Sequence, residues 1–98
     1  MAIQRKRPPT PPGEILLEEF LEPLGLTQVE LARHIGCDFK VINRIVNGRS
    51  RLTANIAIRL AAALETTPDF WLNAQKAVDL HQALQSLETL PPPLKARA

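Results

Sequence analysis

Lys40, Asn43, Arg44 and Asn47 are side chains whose chemistry suits reading a nucleic-acid duplex. Arginine and lysine donate to the guanine edge, and asparagine matches the donor–acceptor pair of adenine. Their spacing places them on one side of a helix. Ile42, Ile45 and Val46 recur at three- and four-residue intervals on the other side. One face is made to enter an apolar core and the other to stay in water. The loop that follows, Asn47-Gly48-Arg49-Ser50-Arg51, brings short polar groups, backbone N–H groups and the guanidiniums of Arg49 and Arg51, which suits a phosphate backbone. The plain alternative is the surface helix of an ordinary bundle. A cationic loop directly behind an amide-rich face argues against it.

Other chemistry is sparse. His34 and His81 have no second ligand at metal spacing. Cys37 is the single cysteine, which excludes an intramolecular disulfide and a cysteine-built zinc site; it fits a small packing residue in a turn and a reducing compartment. No nucleophile set has the cleft-forming architecture it needs, and no glycine-rich phosphate loop is present. The expectation is a non-enzyme without metal or cofactor.

The elements that must position these groups are five helices and no strand, an all-α chain. Helix one is expected over about 13–22, ended by Pro23 and Gly25, with Leu17, Phe20, Leu21 and Leu24 inward and Glu14, Glu18 and Glu22 on another face. Helix two is expected over 28–35, with Thr27 and Glu30 at capping-box spacing and Gly36 as its stop. Helix three is expected over 39–47 behind Asp38, and helix four over 54–64 behind Thr53. Helix five opens at Pro68 behind Thr67 and is expected to reach about 88, with Phe70 and Trp71 as core anchors. Helices two and three, joined through Gly36-Cys37-Asp38, have the spacing of a helix-turn-helix, whose second helix enters the major groove.

The chain has 98 residues, enough for one domain, with 45% apolar and 22% charged residues. Aromatics make up 4%, so the core must be aliphatic. We read a proline-rich basic arm over 1–12, a helical domain over 13–88 and a flexible tail over 89–98. No apolar run approaches the roughly 18 to 20 residues of a membrane span, and the N-terminus reads unlike a secretory signal. The net charge of +2 hides a strong asymmetry. Residues 14–30 hold five acids and no base, whereas 31–59 hold six bases and one acid. Such a dipolar chain can hold one face to a polyanion.

Longer stretches carry a resemblance. Leu26-Thr27-Gln28-Val29-Glu30-Leu31-Ala32-Arg33-His34-Ile35-Gly36, followed by Val41-Ile42-Asn43-Arg44-Ile45-Val46-Asn47-Gly48, resembles the five-helix DNA-binding domain of phage-type (XRE) repressors. Pro12-Gly13-Glu14-Ile15-Leu16, Glu19-Phe20-Leu21 and Pro23-Leu24-Gly25 resemble the opening of the HigA antitoxin branch. So do Ala57-x-Arg59-Leu60-Ala61 and Thr67-Pro68-x-Phe70-Trp71-Leu72-Asn73. The likeness spans about residues 8–80. It implies a bacterial cytoplasmic antitoxin, found at its operator on the nucleoid. That antitoxin is a homodimer that represses its own operon on double-stranded operator DNA and neutralises a HigB-like ribonuclease toxin that cuts messenger RNA. The family's base-reading positions fall on Phe39, Lys40, Val41, Asn43 and Arg44, and its backbone-holding positions on Thr27, Gln28, Asn47 and Arg49, beside which the loop reading sets Arg51. Asp38, Phe39 and Val41 depart from the small polar groups usual there.

Several alternatives stay open on the sequence. Phe39 either touches a thymine methyl or folds back onto Ile42 and Val46. Leu80, Leu84 and Leu87 read as a dimer seam in preference to internal packing; a two-fold dimer would set its recognition helices roughly 34–36 Å apart. Glu14, Glu18 and Glu22 form either a solvated face or a surface for a cationic toxin. Arg5-Lys6-Arg7 and the proline arm are open to three readings: disordered, on the DNA, or on the toxin. A stand-alone regulator without a toxin, or a pure protein-binding module, are the competing functions.

Overall fold

The computed structural model describes residues 7–95; Arg5, Lys6 and the rest of 1–6, with tail residues 96–98, lie outside them. Five helices run in sequence, with no strand among the described residues. Helix α1 spans 12–24, α2 Gln28–Ile35, α3 Phe39–Val46, α4 Ala54–Leu64 and α5 Pro68–Ser86. No described helix is long and apolar enough to cross a membrane.

The local signals act as their chemistry requires. Thr27 and Glu30 close the capping box at the start of α2, each accepting the other's backbone N–H at 3.0 Å. Asp38 caps α3 by accepting from the Lys40 N–H at 2.7 Å, and Thr53 and Thr67 cap α4 and α5. Gly36 ends α2 with φ 75°, in the left-handed region where a glycine carries no Cβ penalty.

Helix α1 departs from the expected register. Its middle, Leu16–Leu21, is a π-helical segment between the α-helical turns Pro12–Ile15 and Glu22–Leu24. Pro23 sits inside the helix rather than ending it; the end comes at Gly25, with φ 66°. A proline ring crowds the preceding turn and its nitrogen donates nothing, and the wider π turn directly ahead accommodates both. The inward pair is therefore Leu16 and Leu21, five apart and almost fully buried. Leu17 and Phe20 are half-buried, and Leu24 is exposed. Leu21 thus lies inward as the 3.6-residue period predicts and Leu17 and Phe20 pack partly on the core, while the wider π turn adds Leu16 and leaves Leu24 outside.

The core is one cluster, aliphatic but for Trp71, to which α1 gives Leu16 and Leu21. Leu31, Ala32 and Ile35 come from α2, Ile42 and Ile45 from α3, Leu52 from the loop, Ile56, Ala57, Leu60 and Ala61 from α4, and Trp71 from α5. Trp71 is fully buried, with its indole N–H donating to Thr66 Oγ1 at 2.7 Å. Phe70, expected beside it in the core, is 41% exposed and meets Trp71 edge-on at 5.0 Å between ring centres. Gly13 is buried where α1 crosses α3; a Cβ there would lie 1.9 Å from the Ile45 carbonyl oxygen. Helix α5 ends at Ser86, two residues short of expectation, and α3 ends at Val46, with Asn47 as its cap.

Candidate nucleic-acid interface

The turn between α2 and α3 is secured from outside. The last carbonyls of a helix lack internal partners. Here Arg59, on α4, donates from Nη1 to the carbonyl oxygens of Ile35 at 2.7 Å and Gly36 at 3.1 Å, while its Nε donates to Asn55 Oδ1. In the sequence Arg59 belongs to a cationic segment and to the Ala57-x-Arg59-Leu60-Ala61 motif, neither of which assigns it this role. Its structural use depends on a contact across 24 positions of chain. Cys37 in the turn is half-buried against the core, and burial pushes its thiol pKa up, which suits packing rather than reactivity.

Helix α3 divides by face as its spacing demands. Ile42 and Ile45 are buried at 0% and 3% exposure, and Val46 packs partly against the core. Lys40 and Arg44 are exposed, with Asn43 half-buried between the faces. Phe39 is 41% exposed at the leading end of α3 and lies outside the core cluster, so its ring is open to a partner. Val41 instead packs partly against the core, which limits what it can offer a base.

Three amides run across the helix pair. Asn47 Nδ2 donates to Asn43 Oδ1 at 3.2 Å, and Asn43 Nδ2 donates to Gln28 Oε1 at 3.0 Å. Asn43 thus links the recognition helix to the first residue of α2. Each amide oxygen accepts more than one bond and each NH₂ has two hydrogens, so Asn43 keeps one donor and one acceptor site. Gln28 keeps its Nε2 group, and the Thr27 hydroxyl keeps its hydrogen to donate. The carboxyl of Glu30 is held below its ordinary pKa, chiefly by the Thr27 backbone N–H and then by its hydroxyl.

The loop turns away from α3 at Gly48, φ 70°, where the Arg49 N–H bonds the Arg44 carbonyl at 2.8 Å. Arg49 and Arg51 are both exposed. Arg51 is not an isolated cation: its Nη1 lies 2.6 Å from Asp79 Oδ2 on α5. That guanidinium, helped by a hydrogen bond from Gln75, holds the Asp79 carboxyl below its usual pKa. A cleft of about 280 Å³ is lined by Pro11, by Pro12 at the start of α1, and by Gly48, Arg49, Arg51 and Asp79. Gln75 and Asp79 had no signal in the sequence beyond membership of a long helix.

The remaining predicted residues lie elsewhere. Glu14, Glu18 and Glu22 are exposed along α1, joined by Glu19. Leu80 is 56% and Leu87 43% exposed, and Leu84 is half-buried, all towards the far end of the chain; Leu87 lies just past the end of α5 in extended backbone. No group of His, Cys, Asp or Glu able to hold a metal ion occurs among the described residues.

This arrangement is a helix-turn-helix with a cationic, amide-lined recognition helix. The chain matches the helix-turn-helix family over residues 17–71, and it belongs to that family in its HigA-type antitoxin branch. Antitoxin HigA-1 of Vibrio cholerae serotype O1 is 52% identical over 75 residues, covering 76% of this chain and 70% of that protein. The solved structure of antitoxin GraA in complex with its operator superposes with a TM-score of 0.79 at 38% identity, covering 94% of this chain and 100% of that one. Pseudomonas aeruginosa antitoxin HigA with the higBA promoter gives a TM-score of 0.77 at 35% identity over 80% of this chain and 85% of that one.

Proposed function

We propose that this protein is the antitoxin of a toxin–antitoxin pair and the repressor of its own operon. It binds operator DNA as a homodimer and neutralises a small HigB-like ribonuclease. The observation that carries the reading is the division of α3: Ile42 and Ile45 are sealed in the core while Lys40 and Arg44 stand in water. Relatives solved in complex with an operator and with a promoter support a DNA-binding role. It is a binding protein and not an enzyme, as its relatives are antitoxins.

In this reading α3 lies in the major groove, where a helix fits. Phe39, Lys40, Asn43 and Arg44 face base edges, and Val41 adds an apolar shoulder. Thr27, Gln28, Asn47, Arg49 and Arg51 hold phosphates and set the register. Leu80, Leu84 and Leu87 meet their counterparts across the two-fold axis, and the arm over 1–12 and the tail over 89–98 flank the domain. The acids Glu14, Glu18 and Glu22 take the toxin, since a nuclease that grips RNA must be cationic. The protein works in the bacterial cytoplasm, at its operator on the nucleoid.

A gel shift with the duplex upstream of its own reading frame tests the DNA half. Retention of that duplex over a scrambled one, lost in a Lys40→Ala, Arg44→Ala double variant, is the expected result. Unchanged affinity in the double variant refutes the groove assignment. Co-purification with the product of the adjacent reading frame tests the toxin half; repression with no toxin gene beside it points to a stand-alone regulator.

A further inference from the structure

The segment between α3 and α4 is tied to α5 by a continuous set of contacts. The Leu52 N–H donates to Gln75 Oε1 at 2.9 Å. Gln75 Nε2 donates to Asp79 Oδ1 at 3.0 Å, and the other oxygen of Asp79 meets Arg51 at 2.6 Å. The path thus leaves the chain at Leu52 and returns to it one residue earlier. Gln75 is 7% exposed, the polar side chain among the buried residues described.

A buried amide needs a reason, since leucine or methionine would fill similar space without a polar group to satisfy. Part of the reason is Leu52. Its side chain is buried, and its N–H finds no acceptor in a helix. Asp79 serves a different purpose. An amide can face either way, and a carboxylate on its NH₂ side fixes the orientation that presents Oε1 to Leu52. The same carboxylate holds Arg51 by one nitrogen and leaves its other donors outward.

We propose that Gln75 and Asp79 are positioning residues for operator recognition: they fix Leu52 and Arg51 so that the loop over 47–51 meets the phosphates in one register. This rests on the reading of that loop as phosphate-holding. Phosphate contacts fix how a protein sits on a duplex without reading its sequence. A loose loop with the same charges grips every duplex alike. A fixed loop makes its contacts only in the docking that also seats α3. Asp79 is an acid and repels DNA by charge alone, so its contribution is to discrimination rather than to attraction.

The test compares the full chain with Asp79→Ala, Asp79→Asn and Gln75→Leu. Fluorescence anisotropy measures affinity for the upstream duplex that the wild-type chain retains and for a scrambled duplex of equal length and composition. The ratio of the two affinities is expected to fall at least fivefold in Asp79→Ala and in Gln75→Leu. Asp79→Asn keeps an oxygen for the Gln75 amide and is expected to fall between. Asp79 lies near the surface, so Asp79→Ala carries the test if Gln75→Leu fails to fold. A ratio within twofold of wild type in Asp79→Ala overturns the proposal, even where both affinities rise together as simple charge removal would make them. Failure of the underlying reading looks different: Arg49→Ala and Arg51→Ala would then leave both affinities and their salt dependence at wild-type values.

Discussion

Gly13→Ala tests the junction between α1 and the recognition helix. An added Cβ would sit 1.9 Å from the Ile45 carbonyl oxygen, 2.7 Å from its carbon and 2.9 Å from Val46 Cα. All three are main-chain atoms, so no rotamer change relieves the clash; α1 must shift off α3 as a body. Overpacking of this kind costs about 3 kcal/mol. Alanine returns about 1 kcal/mol of helix preference, leaving a net loss of about 2 kcal/mol. For a domain of this size that lowers the melting midpoint by about 8–16 °C. Gly25→Ala is the contrasting case, because nothing lies within 4 Å of its added Cβ and only φ 66° opposes it. Its cost is about 1 kcal/mol of left-handed strain. Circular dichroism melts at 222 nm read both. A Gly13→Ala variant melting within 2 °C of wild type, or above it, refutes the close approach. So does a larger loss for Gly25→Ala than for Gly13→Ala.

Four further outcomes are expected. Arg44→Ala lowers operator affinity by about 1–3 kcal/mol and relaxes preference at one base position, measured by anisotropy on a panel of single-base variants. Arg49→Ala weakens binding to all duplexes alike and shallows the log–log salt slope by about one, read from a salt titration. Leu80→Glu, at a side chain 56% exposed in the single chain, shifts sedimentation from dimer to monomer with little change in helix content. Acid weakens the fold: Glu30 and Asp79 have lowered pKa values in the folded chain, so their contribution is complete above the ordinary carboxylate range and is lost as pH falls through the lowered values. Melts from pH 7 down to about pH 3 check this, and Glu30→Gln, which keeps an acceptor for the Thr27 N–H, should flatten part of the acid limb.

Local chemistry was legible in the sequence, and contacts between distant residues were not. Thr27, Asp38, Thr53 and Thr67 act within three residues of themselves, so their spacing alone marks the helix starts. The two faces of α3 follow from a regular helical period, as does its burial of Ile42 and Ile45. In α1 the same period is right for Leu21 and in part for Leu17 and Phe20, but a π turn ahead of Pro23 adds Leu16 to the buried side and leaves Leu24 exposed. Arg51 reads as a phosphate-holding cation and Arg59 as one of a cationic segment, yet Arg51 pairs with Asp79 and Arg59 seals the end of α2, and each partner lies more than twenty residues away. Phe70 and Trp71 are adjacent and similar, and only the tertiary packing separates the half-exposed ring from the buried one.

Arg59 has a consequence for how the protein behaves on bulk chromosome. That guanidinium is turned inward onto two carbonyls and Arg51 is shared with Asp79, which leaves Lys40, Arg44 and Arg49 as the unshared exposed cations of α3 and its loop among the described residues. In the proposed dimer three such groups per subunit, with the outward donors of Arg51 beside them, would displace at least about six condensed cations from a duplex, which makes binding steeply salt-dependent. Rising salt is therefore expected to empty random sequence first, leaving occupancy to shape and base match at the correct site.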